Sequence, residues 1–432
     1  MMQRLFTFAA LSLALLAAPA LGETVAITGA KAWTGTDAGT LENATIVVTD
    51  GEITQVTTGD TALPEDARVI AAEGRWVTPG IIAPFTRIGI VEVAAEDATD
   101  DRRAPQSDLS VALKAAEGFN PAATTVDITR IEGVTRVVVA PVSGQSLFAG
   151  RGFIADTSGA PESVSNDDAF VFMSLGERGA SLSGGSRPAA WTNLRGALSD
   201  ARTFPARFLA HNEGDALTRM DAQAFGPAAR GQQLILVEAQ RASDLERLIA
   251  FATDNPELRF AVVGADEGWM VADKLAEAGI PVIVDPFQNL PASFEQLGAS
   301  MRNAERLIAA GVTTAFAHLE DDGHQARLVL QSAGNAVANG VSHDDAMAAI
   351  TSVPAEIFGL EGHGVIEAGA VGDLVVWDGD PLEVMSNPDV ILIEGALQSL
   401  ESRQTRLRDR YLALESGDRP FAYKRGGPAA DD

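Results

Sequence analysis

Apolar residues form short runs, separated by turn-forming residues, at both ends of the chain. These runs cover residues 24–28, 44–49, 53–56, 373–381 and 390–393. Asp50 and Gly51 separate the second run from the third. An Asp-Gly step between apolar runs predicts a β-hairpin, because both central residues of the favoured turn have positive φ, which Asp and Gly tolerate. The chain is therefore predicted to begin and end in β structure.

Between these ends, apolar runs of strand length alternate with segments of helical periodicity. The strand-like runs are 133–141, 233–238, 258–264, 281–284 and 313–317, and the helical segments are 242–254, 268–278 and 294–310. This alternation predicts parallel βαβ units with right-handed crossovers. Periodicity alone leaves open whether they form a closed barrel or an open doubly wound sheet. No Gly-x-Gly-x-x-Gly motif follows the first strand, which disfavours a dinucleotide-binding sheet.

The amino terminus has the pattern of a secretory signal. Residues 1–22 combine the cationic Arg4, an apolar stretch over 5–18 and small residues suited to cleavage. The apolar stretch is short for a membrane span, so cleavage is favoured over an uncleaved anchor. We expect a periplasmic or secreted protein with no membrane attachment after signal removal. At the other end, residues 401–414 predict an amphipathic helix, and a loose tail follows.

Composition is typical of a large globular protein, and its charge excludes some partners. The 432 residues are 46% hydrophobic, include no cysteine and carry a formal net charge of −27. Disulfides, a thiolate nucleophile and Cys-ligated zinc are therefore not available. A strongly negative surface repels phosphate backbones and anionic lipid, which disfavours nucleic-acid and membrane partners.

Several segments resemble the amidohydrolase superfamily in order and spacing. The first reads WVTPGIIAPFTRIG over residues 76–89. The others are AITSVPAEIFGL at 349–360, GVIEAG at 364–369 and GDLVVWDGDP at 372–381. The resemblance is strongest to the exported, imidazolonepropionase-like branch. It implies an α/β fold, a distorted (β/α)8 TIM barrel with a small β-sandwich formed from both termini.

The same resemblance divides the chain into five parts. They are a signal peptide (1–22), the first part of the β-sandwich (23–82), the barrel (83–360), the second part of the β-sandwich (361–400) and a carboxyl-terminal helix with its tail (401–432).

Family members bind one or two metal ions at the carboxyl ends of the barrel strands, and the metal activates water and polarises a carbonyl. The resemblance implies two His ligands on the first strand and one each on the fifth and sixth. Here Phe85 and Arg87 replace the first pair, Glu238 replaces the fifth-strand His, and Gly264 replaces the sixth. A phenyl ring has no lone pair to donate, and arginine stays cationic.

The family's remaining ligands, a carboxylated Lys or Glu on the fourth strand and an Asp on the eighth, are not evident either. Leu319 falls near the Asp position, followed by the acidic Glu320, Asp321 and Asp322. The only lysines are Lys31, Lys114, Lys274 and Lys424. None follows a predicted strand end. We therefore predict that the ancestral zinc site is lost and that the chain uses no cofactor.

Two other groups of residues are candidates for a replacement site. Arg87 and Glu238 come from strands expected to face each other across the barrel mouth. They either plug the vacated metal volume as an ion pair, or Arg87 binds an anionic ligand. His318, Glu320 and Asp321 lie in HLEDDGH, residues 318–324, which is either an acidic solvated loop or a cation or acid–base site.

Two functional hypotheses follow. The chain is an exported amidohydrolase-family protein, nominally a hydrolase of amide or peptide-like C–N bonds, whose metal-dependent activity is lost or altered. Alternatively, it is a non-catalytic paralogue that binds a small molecule or joins an active homologue. Whether it is an enzyme, and whether it forms homo- or hetero-oligomers, stays open at this level. A solute-binding protein is disfavoured by the single split β module.

Overall fold

The computed structural model describes residues 24–59, 61–209, 214–319 and 323–412. The predicted signal peptide and the carboxyl-terminal tail lie outside these ranges. Within them, no helix is both long and apolar enough to cross a bilayer.

The described chain contains strands and helices in the following order. The strands are β1 (Val25–Trp33), β2 (Thr40–Thr49), β3 (Glu52–Thr58), β4 (Arg68–Ala71), β5 (Trp76–Pro79), β6 (Ile81–Thr86), β7 (Val134–Val139), β8 (Phe148–Asp156), β9 (Val164–Ser174), β10 (Leu234–Ala239), β11 (Arg259–Gly264), β12 (Val282–Val284), β13 (Thr314–Phe316), β14 (Leu374–Trp377), β15 (Pro388–Ile393) and β16 (Ala396–Leu397). The helices are α1 (Thr124–Arg130), α2 (Gly176–Leu182), α3 (Arg187–Thr203), α4 (Arg219–Ala229), α5 (Ala242–Asp254), α6 (Ala272–Glu277), α7 (Asn303–Ala309), α8 (Val329–Ala338), α9 (His343–Ala348), α10 (Ser352–Phe358) and α11 (Arg403–Leu412).

The two ends of the described chain are β structure, as the apolar pattern predicted, and they form one sheet. Its strands run in the order β16-β15-β14-β5-β1-β2-β3, and β4 also pairs with β1. The β2–β3 hairpin turns at Asp50 (φ 52°) and Gly51 (φ 85°), the two positive-φ positions that the sequence predicted. Alternate residues of this sheet share a core of their own, separate from that of the barrel.

The middle of the chain forms a second sheet of eight strands in the order β6 to β13. Strands β9 to β13 are parallel to one another, as are β6 and β7. In contrast, β8 runs antiparallel to both β7 and β9. The antiparallel β8 is what distorts the barrel from a regular (β/α)8 arrangement. No helix lies between β7 and β8 or between β8 and β9.

The two edge strands of this sheet, β6 and β13, lie close together, and the chain before α10 bridges them. Ile82 N–H donates to the carbonyl of Ile350 (2.9 Å), and Phe316 N–H donates to the carbonyl of Ala349 (2.9 Å). These bonds satisfy edge groups that would otherwise be exposed. The sheet is thus a nearly closed barrel, which confirms the predicted fold class.

The barrel interior is a packed core, as expected for a (β/α)8 fold. Its inward-facing side chains are apolar until the carboxyl ends of the strands and include Phe172, Leu236, Val263, Ile283 and Ala315. Polar side chains enter the barrel only beyond this apolar layer, at the carboxyl ends of the strands. The functional chemistry is therefore confined to that end of the barrel.

Two predicted helices are shorter in the structure. Residues 268–278 form a 3₁₀ turn (Gly268–Met270) and α6, and residues 294–310 form a 3₁₀ turn (Phe294–Gln296) and α7. Strand β8 was not predicted at all. It contains Gly152, where an added Cβ would lie 2.1 Å from the ring of Phe170. Glycine usually disfavours a strand, but here it leaves room for an aromatic ring on the neighbouring strand.

Candidate functional site

A cavity of about 190 Å³ opens at the carboxyl ends of the barrel strands. This is the end at which barrel proteins place their active sites. Its walls combine one guanidinium, three carboxylates, three amides and an apolar base. The lining residues are Phe85, Arg87, Glu238, Gln240, Val263, Gly264, Asp266, Asp285, Gln288, Ala292, Gln296 and Leu319. The structure thus brings together Phe85, Arg87, Glu238 and Gly264, which the sequence had singled out on three separate strands.

Phe85 and Arg87 occupy the first-strand side of this cavity as a stacked pair. The Phe85 ring is buried and packs edge-on against Phe172, with centroids 5.4 Å apart. The guanidinium carbon of Arg87 lies 4.4 Å from the Phe85 centroid and 5.7 Å from that of Phe172. Cation–π contact explains why an arginine is stable beside these aromatic rings. Neither side chain offers a lone pair to a metal ion.

Glu238, at the end of β10, is held by a chain of hydroxyl groups. Ser174 Oγ on β9 donates to Glu238 Oε2 (2.6 Å), and Ser174 and Ser143 share a hydrogen bond of 3.2 Å. No ion pair between Glu238 and Arg87 is formed in the described structure, although both side chains line the same cavity. The Glu238 carboxylate is therefore oriented by serine.

Gly264 has φ of +101° at the end of β11, and the side chain of Gln240 fills the space above it. A Cβ on Gly264 would lie 2.1 Å from Gln240 Oε1 and 2.3 Å from Gln240 Nε2. The position at which the resemblance implies a sixth-strand ligand is thus covered by the amide of Gln240, the residue that follows β10. Sequence reasoning had identified the missing side chain but not the residue that replaces its volume.

Asp266 and Asp285 add two carboxyl groups that the sequence analysis did not identify as site residues. Asp266 is 4% exposed, and its Oδ2 accepts from Gln296 Nε2 (2.6 Å). Burial, followed by repulsion from Asp285 and Glu267, raises the pKa of Asp266 to about 6 even though the Gln296 hydrogen bond opposes this. An acidic residue within two positions of a buried strand end is the signal that could have revealed both.

The predicted loop 318–324 is only partly described. His318 Nδ1 lies 3.6 Å from Asp285 Oδ2, and Leu319 N–H donates to the same oxygen (3.0 Å). Leu319 lines the cavity, whereas His318 stands behind Asp285, and His324 is exposed. Glu320 and Asp321 lie outside the described residues.

The segment 286–298 crosses the barrel mouth from the end of β12 towards α2, and we call it the strap. Gln288 and Gln296 face the cavity from this segment. Glu295 Oε2 accepts from Glu177 N–H (2.7 Å) and lies 3.2 Å from Arg187 Nη2. Burial raises the pKa of Glu295 to about 7, outweighing the opposing effects of the Glu177 amide and Arg187. The strap therefore links the seventh-strand side of the barrel to the fourth.

The residues present do not fit the zinc site that the fold implies. Structural zinc takes four protein ligands and catalytic zinc takes three. The first-strand positions hold a phenyl ring and a guanidinium, and the sixth-strand position holds a backbone covered by an amide. Within the described ranges no three His, Asp or Glu side chains are arranged to hold a metal ion. Lys114 does not line the cavity; its Nζ donates to Asp167 (2.6 Å), near the amino end of β9.

The fold is a nearly closed eight-stranded barrel with one antiparallel strand and a separate sheet built from both ends of the described chain. A polar cavity opens at the carboxyl end of the barrel. A sequence profile described as the amidohydrolase family matches residues 263–401. The amidohydrolase tasK of Hapsidospora irregularis is 24% identical over 388 residues, which cover 82% of this chain and 39% of that protein. Over these residues the chain is similar in sequence to amidohydrolases, and it spans about two fifths of the length of the curated relative.

Solved structures show the same fold. An amidohydrolase from Thermotoga maritima MSB8 superposes with a TM-score of 0.76 at 23% identity, covering 86% of this chain and 99% of that one. A prolidase complexed with N-methylphosphonate-L-proline has a TM-score of 0.54 at 19% identity, covering 87% and 99% of the two chains. Molinate hydrolase has a TM-score of 0.55 at 16% identity, covering 88% and 95%. At these identities the likeness establishes the fold alone.

Proposed function

We propose that this chain is a non-hydrolytic member of its superfamily that binds a small polar molecule in the barrel-mouth cavity. The observation that carries the proposal is the replacement of ligand positions by groups that fill their space. Gln240 covers Gly264, and Arg87 stacks on Phe85. The cavity nevertheless keeps a dense set of polar groups on an apolar base, as small-molecule sites do.

A second candidate is altered hydrolysis without metal. It is favoured by Asp266, because its pKa of about 6 lies closer to neutral pH than the 3.8 of a free side chain, so this buried carboxyl group exchanges a proton more readily there. Such a group is a reasonable general acid. The structural relatives described as a prolidase and as molinate hydrolase suggest amide and peptide-like compounds as the first ones to test.

Export to the periplasm or medium is part of the proposal, supported by the signal-like pattern of residues 1–22. Assembly with itself or with an active homologue is compatible with a chain that keeps the fold and has replaced the ligands. Co-purification with a homologue that retains its His-x-His motif is the direct test of that assembly.

The deciding experiment measures metal content, turnover and binding on one preparation. The protein is stripped with chelator, reloaded with zinc and analysed by elemental mass spectrometry. It is then assayed against dipeptides and cyclic amides for product formation and for a ligand-induced rise in melting temperature. We expect less than stoichiometric zinc, no turnover and saturable stabilisation by some of the compounds. Stoichiometric zinc together with turnover would overturn the proposal.

Arg87→Met tests the site itself, because it keeps the contact with Phe85 and removes the charge. We expect ligand binding to change without loss of the fold. Unchanged binding and unchanged stability together would remove both predicted roles of Arg87.

A further inference from the structure

The charged groups around the barrel-mouth cavity are unequal in number. Glu238, Asp266 and Asp285 contribute carboxyl groups, and Arg87 contributes the one guanidinium among the described lining residues. Asp266 and Asp285 are 4% and 8% exposed, so their charges are only weakly screened by water. A ligand that enters this space therefore meets a negative electrostatic potential.

The hydrogen-bonding groups of the cavity are biased in the same direction. Gln240 Oε1 is buried and has no hydrogen-bond partner among the described residues. Within the same part of the chain, one Glu238 oxygen accepts from Ser174 and one Asp266 oxygen accepts from Gln296, which leaves the second oxygen of each without a partner. Gln240 Oε1 is the buried acceptor of this set, and leaving it without a partner is costly, so a ligand that supplies an N–H group there removes this cost.

We propose that the barrel-mouth cavity selects a small organic cation that carries several N–H donors, of the amidinium, guanidinium or primary ammonium kind. Glu238 and Asp266 provide the charge, Gln240 Oε1 accepts a further N–H, and Arg87 sets the opposite wall. Charge-assisted hydrogen bonds to carboxylates are the strongest that such a ligand can make. This inference rests on the proposed binding function and names the class of ligand.

The size of the cavity restricts the ligand further. At about 190 Å³ it is smaller than the roughly 300–1,000 Å³ usual for sites that bind drug-sized molecules. The strap closes one side with Gln288 and Gln296. The ligand is therefore of the size of a single side chain or of one substituted ring.

Three probes of nearly equal shape test the inference: benzamidine, which is cationic, benzamide, which is neutral, and benzoate, which is anionic. Isothermal titration calorimetry on the full-length mature protein at pH 8 measures all three. We expect benzamidine to bind at least about tenfold more tightly than either isostere, because a charge-assisted bond adds about 1.4 kcal/mol or more.

Matched variants place the binding in the cavity. Glu238→Gln and Asp266→Asn keep the shape and the acceptor oxygens used by Ser174 and Gln296, and each is expected to weaken benzamidine binding about tenfold. Glu277→Gln, on the exposed end of α6, changes the net charge equally and should leave binding unchanged. Circular dichroism verifies that each variant is folded.

The outcomes separate the inference from the proposed function. Benzoate or benzamide binding as tightly as benzamidine would overturn the cation preference and leave a binding cavity in place. An equal effect of Glu277→Gln would attribute benzamidine binding to net charge and overturn the site. Absence of benzamidine binding in a protein that the compound panel stabilises would overturn the inference alone, whereas zinc-dependent turnover would overturn the proposed function.

Discussion

The side-chain amide of Gln240 occupies the space that any side chain on Gly264 would need, with Gln240 Oε1 2.1 Å from the position of an added Cβ. The two residues come from adjacent parallel strands, β10 and β11. Gln240 therefore fills the space above Gly264, so a single substitution cannot place a larger side chain at this position without moving Gln240.

Gly264→Ala should therefore destabilise the protein by about 3 kcal/mol, because it combines a positive φ with a steric overlap. Chemical denaturation measures the loss. Gly279→Ala is the matched control, since Gly279 has φ of +61° and open space around its Cβ position. It should cost only about 1 kcal/mol. The double variant Gly264→Ala with Gln240→Ala should recover part of the loss; no recovery would show that the overlap is not its cause.

The raised pKa of Asp266 predicts a pH-dependent effect on stability. Its value of about 6, against 3.8 for a free side chain, means that the folded state favours the protonated form. The stability that Asp266 contributes is complete below pH 4 and is lost as the pH rises to about 6. Asp266→Asn should thus leave the free energy of unfolding nearly unchanged at pH 4 and raise it at pH 8 by up to about 3 kcal/mol.

Denaturant titrations of the wild-type protein and Asp266→Asn at several pH values test this. The groups near Asp266 are Gln296 on the strap and the acidic Asp285 and Glu267. Glu277→Gln, which alters an exposed carboxylate, provides the control. A difference between Asp266→Asn and wild type that is constant from pH 4 to 8 would contradict the assignment.

The strap depends on Glu295, which accepts from Glu177 N–H and pairs with Arg187. Glu295→Ala should increase the rate of amide hydrogen exchange in residues 286–298 about tenfold. Losing these contacts lowers the free energy of local opening of the strap by about 1.4 kcal/mol, which corresponds to that factor. Phe294→Ala is the control in the same segment, because Phe294 is 81% exposed. Equal exchange in both variants would show that Glu295 does not tie the strap.

The barrel and the terminal sheet are joined through Arg136, a buried residue of β7. Its Nε donates to Asp373 Oδ2 (2.8 Å), and its Nη2 donates to Glu394 (2.7 Å). Arg136→Met would leave the buried Asp373 carboxylate without its cation and should cost about 3–5 kcal/mol in unfolding free energy. Arg302→Met, which breaks the solvent-exposed pair of Arg302 with Glu305, should cost less than about 1 kcal/mol. Similar losses in both would rule out burial as the reason.

Local sequence predicted several elements with close bounds. The helix over 242–254 is α5, and Asp50 and Gly51 form the predicted turn, because periodicity and turn chemistry act between near neighbours. Strand β8 was not predicted, since its glycines, which make it look irregular, are explained by contacts with distant residues: Gly152 lies against Phe170, and Gly150 lies against the Leu113 carbonyl. Gln240, Asp266 and Asp285 were missed as site residues for a similar reason: each follows a different strand, and only barrel closure brings them together.

The sequence by itself determined the resemblance to amidohydrolases, the expected barrel with its split terminal sheet, and the absence of a lone-pair donor in the side chains at positions 85, 87 and 264, because these depend on residue identity and order. The tertiary structure decided what stands in their place. Arg87 stacks on Phe85, Ser174 donates to Glu238, and Gln240 covers Gly264. The last two are contacts between neighbouring strands. They depend on side-chain direction and volume, which a linear pattern does not specify.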